Sequence, residues 1–326
     1  MKKSNLNENN FETSHVTKTL VDNGYIERLP DNYNQELFLD SEILLNFVQN
    51  TQPEEWEKLK EQYPGNTEET FLKRVSSEVG KRGTLDVLRN GIKDKGAKFE
   101  LAYFKPVSGL NPEHEKLYKQ NRFSVIRQLP FSQKYQKTLD ISIFLNGIPI
   151  ITSELKNHFT GQDYTDAIKQ FRFDRDPKEP FLRRCLVHFA VDNDKAYFTT
   201  QLEGEITQFL PFNKNIENPE DKRGFKVAYL YHDIWHPDSL LDIIYQYIQL
   251  TEKEDLKTGK KTKKIIFPRF HQLTAVKQIV DSARKLGTGK NYLIQHSAGS
   301  GKTFTISWLA HQLSQIHDKE DKRIFD

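Results

Sequence analysis

Residues 140–156 read DISIFLNGIPIITSELK: two apolar runs on either side of Asn146-Gly147, opened by an acid and closed by Glu154-Leu155-Lys156. Strands avoid acidic residues, because an ionised carboxylate beside a sheet core is costly unless something compensates for it. Residues two apart in a strand share a face, so Glu154 and Lys156 point together while Leu155 faces the buried side. Whether Asp140 joins them depends on register. A strict two-residue Asn-Gly turn with regular strands sends Asp140 to the opposite face. A three-residue loop with Gly147 in the left-handed region, or an equivalent one-residue irregularity, brings it onto the face of Glu154. The expectation is the bulged loop or its equivalent.

Two carboxylates and an ammonium on one sheet face suit phosphodiester hydrolysis. Asp140 and Glu154 would hold a divalent cation such as Mg²⁺, and Lys156 would orient or activate water and offset charge on the phosphate. The pattern resembles the PD-(D/E)xK nuclease superfamily, with Leu139 in place of the usual Pro. That resemblance implies Mg²⁺ binding by Asp140, Glu154 and the Leu155 carbonyl. A helix over YTDAIKQFRFDRD, ended by Pro177, follows the hairpin and supplies Gln170. The subgroup it resembles carries QxxxY there, a motif that positions DNA or the lysine; here the fourth residue on is Asp174. Glu78 and Asp86, upstream, are candidates for a further acid, against the plainer reading of helix-surface charge.

Working outward, 326 residues are too many for one ordinary core and fit two domains. Hydrophobic residues at 36% and charged residues at 29% give a globular balance, and no apolar run approaches the roughly 18 residues of a membrane span. Lys2 and Lys3 precede no apolar segment, which predicts no secretory signal, a disordered tail over 1–16 and a cytoplasmic protein. Cys185 lies in an apolar run and reads as a buried, inert thiol. Helical spacing of Ile43, Leu44, Phe47 and Val48 marks core. From about 99 to 200 the pattern turns to strands, with the Gln170 helix inserted. The fold class expected is α/β: a nuclease-like mixed sheet flanked by helices over 17–250, a basic linker over 251–264, and the start of a RecA-like P-loop domain over 265–326. The net charge of +3 says little about partners, whereas the run LKTGKKTKK concentrates positive charge in that linker.

The second motif lies in LIQHSAGSGKTFTISWLAHQL, 293–313, read as a short strand, a glycine-rich loop and a helix with apolar Ile306, Leu309, Ala310 and Leu313. Gly299, Ser300, Gly301, Lys302 and Thr303 match a Walker A core, with His296 at the usual first glycine. Backbone N–H groups at the helix start would cradle phosphates, Lys302 would reach the β- and γ-phosphates of ATP, and Thr303 would ligate Mg²⁺. FPRFHQ, 267–272, looks like the Q motif of superfamily 2 helicases, in which Gln272 would read adenine and Phe270 pack on the base. The Walker B, coupling and arginine-finger motifs of a complete motor are not present, and the chain stops at RIFD where the next strand is expected. The motor is therefore read as truncated.

Together the motifs resemble the R subunit of type I restriction enzymes, through TLDVLRNGIKDKGAKFELAYFKP, NRFSVIRQL, LDISIFLNGIPIITSELKN, DAIKQFRFDRDP, CLVHFAVD and HSAGSGKT in that order. The resemblance implies an ATP-dependent motor that pulls double-stranded DNA past a core of M and S subunits, which uses S-adenosylmethionine, and then cuts at a distance. Two rivals remain at this level. A recombination or repair helicase–nuclease shares both motifs but not the M and S partners; a non-catalytic DNA-docking module binds DNA without a metal requirement.

Overall fold

The computed structural model describes residues 11–106, 111–214, 217–222, 224–254 and 261–317. Its centre is a seven-stranded mixed sheet built from β1 (Ile26–Arg28), β4 (Phe123–Pro130), β5 (Thr138–Leu145), β6 (Ile148–Leu155), β7 (Val187–Val191), β8 (Ala196–Thr199) and β9 (Leu210–Pro211), in that spatial order. A small ribbon of β2 (Ile92–Asp94) and β3 (Ala97–Phe99) stands apart from it. β1 and β4 are parallel, as are β6 and β7; the other neighbours are antiparallel. All eight residues of β6 are buried, as expected for a central strand covered on both faces.

The two faces carry different cores. Ile141, Ile143 and Leu145 join the larger one, with Leu44, Phe47 and Val48 of the helix Ser41–Thr51. Phe144 belongs to a smaller one, with Ala167, Phe171 and Phe181 from the helices that follow the hairpin, and Leu139 near the start of β5 reaches the same cluster. Alternation along β5 places Asp140, Ser142 and Phe144 on a single face. Asp140 therefore stands on the side covered by residues 164–184.

The turn differs from the expected three-residue loop. Leu145 pairs Ile148 across a strict two-residue turn, with Asn146 at φ 50° and Gly147 at φ 81°, both in the left-handed region that an Asn-Gly hairpin favours. Surroundings leave no room for a longer loop. Asn146 is fully buried; its Nδ2 donates to the Leu101 carbonyl at 3.0 Å and its Oδ1 accepts from Arg122 N–H at 2.6 Å. The Gly147 carbonyl accepts from Asp40 N–H at 2.9 Å. The one-residue irregularity instead lies inside the hairpin: the register shifts between Ile143 and Phe144, whose partners are Ile151 and Pro149, leaving Ile150 as the extra residue. The consequence for the faces is the one required, since Ile141 pairs Ser153 and Asp140 comes to lie opposite Glu154.

A Cβ on Gly147 would overlap the Asp40 carbonyl and Leu44. Gly147→Ala is thus expected to cost roughly 2–4 kcal/mol, from left-handed backbone plus overpacking. Urea unfolding measures it. An unchanged midpoint would mean that the helix Ser41–Thr51 yields freely.

Three further expectations are corrected. Residues 11–16 are not part of a tail: Phe11–Thr17 is helical, and Phe11 is buried with its ring 5.2 Å from that of Phe225. Aromatic burial there outweighs the polar composition; residues 1–10 lie outside the described residues. Much of the expected linker is a two-stranded ribbon, β10 (Gln249–Glu254) with β11 (Lys261–Ile266), in which Glu252 opposite Lys263 lets a basic run pair as sheet. The lysine-rich tip of the expected linker, 255–260, lies outside the described residues. The strand expected before the glycine-rich loop does not form: residues 291–297 are irregular and Leu293 is 94% exposed, with no neighbouring strand among the described residues to accept its hydrogen bonds. The helix Lys302–Leu313 does form: Leu309 and Leu313 pack on the core beside buried Thr305 and Trp308, and Ile306 is exposed. The terminal RIFD lies outside the described residues.

Candidate active site

Where the hairpin ladder ends, a side chain replaces the backbone. The Leu155 N–H donates to Asp140 Oδ2 at 2.7 Å, the short distance of a charge-assisted hydrogen bond. Asp140 is thereby fixed across the strand from Glu154, and the two carboxylates share a face. Glu154 is fully buried. Burial pushes its carboxyl well above the usual carboxylate range, and the nearby Asp140 charge adds to this, while Arg175 and Lys156 oppose it. Lys156, 8% exposed, extends from the end of β6, where its own N–H donates to the Val191 carbonyl at 2.8 Å.

Arg175 is one residue that sequence reasoning missed. Its side chain is 4% exposed; Nε donates to Glu154 Oε1 at 2.7 Å and Nη2 to the Thr138 carbonyl at 2.8 Å, and the guanidinium lies 5.2 Å from the centre of the Phe131 ring. Standing between Asp174 and Asp176, it carries no sequence signal of its own. Arg175 occupies one oxygen of Glu154 only. The other, Oε2, is buried with no hydrogen-bond partner.

An orphaned carboxylate oxygen, in a site where a second carboxylate raises the cost of ionisation, fits a hard divalent cation that accepts oxygen ligands. Among the described residues no group of three or more His, Cys, Asp or Glu is arranged to hold a metal. Protein ligands would thus be few, as Mg²⁺ tolerates by keeping its own waters.

Gln170 sits where the helix Tyr164–Lys169 widens into a π-helical turn, Gln170–Asp174, and it is half-buried on the segment that leads to Arg175. Asp174 points elsewhere, pairing with Lys137 at 2.9 Å. Glu78 and Asp86 are taken up by Arg82, and Glu78 also by Arg74, along the helices Thr67–Arg82 and Thr84–Asn90. Neither is brought to the hairpin. The acid that does come close is Glu12, 3% exposed, joined to Asp140 through Gln128: the amide Nε2 lies 3.0 Å from Glu12 Oε2 and 3.1 Å from Asp140 Oδ1. Nothing in a polar N-terminal segment signalled that contact.

The glycine-rich loop forms a separate group. Gly299 and Gly301 have φ of 72° and 82°, and Gly301 starts the helix whose first residues are Lys302 and Thr303, both exposed. Ser300 is buried. Lys302 Nζ donates to the His296 carbonyl at 3.1 Å. Gln272, expected to face a base, is buried instead against the loop: Nε2 donates to the Gly301 carbonyl at 2.9 Å and Oε1 accepts from Arg269 N–H at 2.9 Å. Phe270 packs edge-on against Phe212 and Tyr229. Cys185 is buried, and its thiol is pushed well up by desolvation, which keeps it protonated and inert. Among the described residues no helix is long and apolar enough to cross a membrane.

A family profile described as "Type I restriction enzyme R protein N terminus" matches residues 5–206, which contain the whole hairpin site. The chain is 28% identical over 309 residues to the putative type I restriction enzyme MjaVIIIP endonuclease subunit of Methanocaldococcus jannaschii, covering 88% of this chain and 28% of that protein. It is 30% identical over 258 residues to the putative MjaVIIP endonuclease subunit of the same organism, covering 74% and 22%. With the HindI endonuclease subunit of Haemophilus influenzae the identity is 26% over 272 residues, covering 78% and 25%. The chain spans about a quarter of the length of these relatives. With a matched segment that covers well over half the chain and encloses Asp140, Glu154, Lys156 and Arg175, the chain belongs to the family of type I restriction enzyme R protein N-termini.

Proposed function

We propose that this chain is the metal-dependent endonuclease portion of a type I restriction enzyme R subunit, cutting phosphodiester bonds of double-stranded DNA. The observation that carries the reading is the pairing of Asp140 with Glu154 on one face, with Glu154 Oε2 buried and unpartnered. Asp140, Glu154 and the Leu155 carbonyl would hold Mg²⁺. The cation, when bound, would neutralise phosphate charge and lower the pKa of a bound water. The chain's own residues do the rest. Arg175 holds the Glu154 carboxylate in place, Lys156 would bring a positive charge to orient water and stabilise the developing charge, and Gln170, on the turn that leads to Arg175, would help position DNA or the lysine.

Membership of this family supports a nuclease that works within a larger assembly. The glycine-rich loop, with Lys302 and Thr303 at a helix start, supports ATP binding by a motor that translocates DNA, and the family supports M and S subunits as partners. Both are proposed for a full-length R subunit, since the chain spans about a quarter of the length of its relatives.

A crystal soaked in Mn²⁺ tests the site directly. An anomalous peak between Asp140 and Glu154 is the expected result. A chain that takes up Mn²⁺ only elsewhere would leave the hairpin without its metal and sink the nuclease reading.

A further inference from the structure

β4 is interrupted at a single residue. Arg127 pairs Ile141 and Leu129 pairs Leu139, while Gln128 between them, opposite Asp140, has φ 49°. A strand does not call for left-handed backbone, and a residue with a Cβ resists it. Strain of this kind persists only where the surroundings hold it. Packing does not hold Gln128, because it is exposed. Its polar contacts do. Thr138 Oγ1 donates to Gln128 Oε1 at 2.8 Å, which turns the amide nitrogen toward the acids, and Nε2 donates to Asp140 Oδ1 and Glu12 Oε2.

These contacts join the others. The carbonyl of Thr138 accepts from Arg175, which donates to Glu154, and Asp140 Oδ2 accepts from the N–H next to Glu154. A closed circuit of polar contacts therefore runs through Glu154, Arg175, Thr138, Gln128, Asp140 and Leu155. Gln128 is the member whose backbone is distorted to complete it. Without the amide, Asp140 would keep a single fixed oxygen and could rotate away from Glu154.

We infer that Gln128 is a positioning residue for the metal-binding carboxylate pair, holding Asp140 to Glu154 and tying buried Glu12 to the same site. The inference rests on the nuclease reading above. Groups that orient metal ligands change metal affinity about 10- to 100-fold when removed.

Calorimetric titration of the chain with Mn²⁺ alone, together with thermal unfolding, tests it in the wild type, Gln128→Gly, Thr138→Val and Glu154→Gln. Glycine accepts φ 49° without strain, so Q128G is expected to unfold at the same or a higher temperature while its Mn²⁺ affinity falls about 10- to 100-fold. T138V, which frees the amide to turn, should weaken Mn²⁺ in the same direction by less. Undiminished affinity in Q128G, with binding lost in E154Q, would overturn the role of Gln128 and leave the nuclease site standing. Weaker binding accompanied by a lower unfolding temperature would assign Gln128 to the fold and overturn the inference. Binding that survives in E154Q, or no binding by the wild type, would overturn the nuclease site and this inference with it.

Discussion

DNA cleavage is expected to stop when Glu154 is replaced by glutamine, with the fold retained. The amide is nearly isosteric, and its oxygen can still accept from Arg175 at the position now 2.7 Å from Nε. What disappears is the anionic oxygen that a cation would take. Losing several kcal/mol of metal-derived transition-state stabilisation corresponds to a rate decrease of about 10³-fold or more. Mg²⁺-dependent cleavage of duplex DNA by the R subunit proposed above, assembled with the M and S subunits proposed as its partners, measures it. Cleavage by E154Q at the wild-type rate would show that this carboxylate holds no catalytic metal.

The same substitution carries a pH signature. Burial and Asp140 raise the Glu154 pKa in the folded chain above that of the unfolded chain, about 4.3. A raised acid holds its proton in the folded state after the unfolded chain has released it. Its contribution to stability is full below the unfolded pKa and declines as pH rises toward the folded pKa. The metal-free wild type should lose stability across that window, and E154Q should show a flatter profile. If Glu154 holds Mg²⁺ as proposed, the ion should reverse the loss, because a cation takes the deprotonated carboxylate. Urea unfolding from pH 4 upward, with and without Mg²⁺, reads both effects.

The hairpin was legible because strand periodicity and the Asn-Gly turn constrain it strongly. Sequence required an irregularity to put Asp140 and Glu154 on one face, and the structure has one, at Ile150 rather than in the turn. Its location was hidden because Asn146 and Gly147 are held by Arg122, Leu101 and Asp40, contacts between distant parts of the chain. Arg175 and Gln128 were missed for a related reason. An arginine between two aspartates and a glutamine inside a strand look solvated until tertiary structure turns one onto a buried carboxylate and distorts the other. The glycine-rich loop shows the opposite case, a motif that is plain in sequence while the strand expected before it does not form.

Arg175→Met should produce the largest loss of stability of any substitution at the site. The guanidinium is 4% exposed and the Glu154 side chain 0%, so the pair is screened little by solvent. At a pH above the raised pKa of Glu154, removing one partner of a buried pair leaves the other charge uncompensated, which costs about 3–5 kcal/mol. The Thr138 carbonyl also loses its donor and Phe131 the cation beside its ring. Lysine is a poor substitute, because a single ammonium cannot reproduce the directed Nε and Nη2 contacts. The cost of R175M should shrink when the charge it strands is also removed: E154Q/R175M is expected to be more stable than R175M alone, although it lacks one more native side chain. Such non-additivity is what a direct interaction produces, and independent sites do not. Urea unfolding of the wild type, both single variants and the double variant completes the cycle. If the double variant simply sums the two single costs, Arg175 stabilises the sheet through Thr138 and Phe131, and its hold on the Glu154 carboxylate is energetically empty.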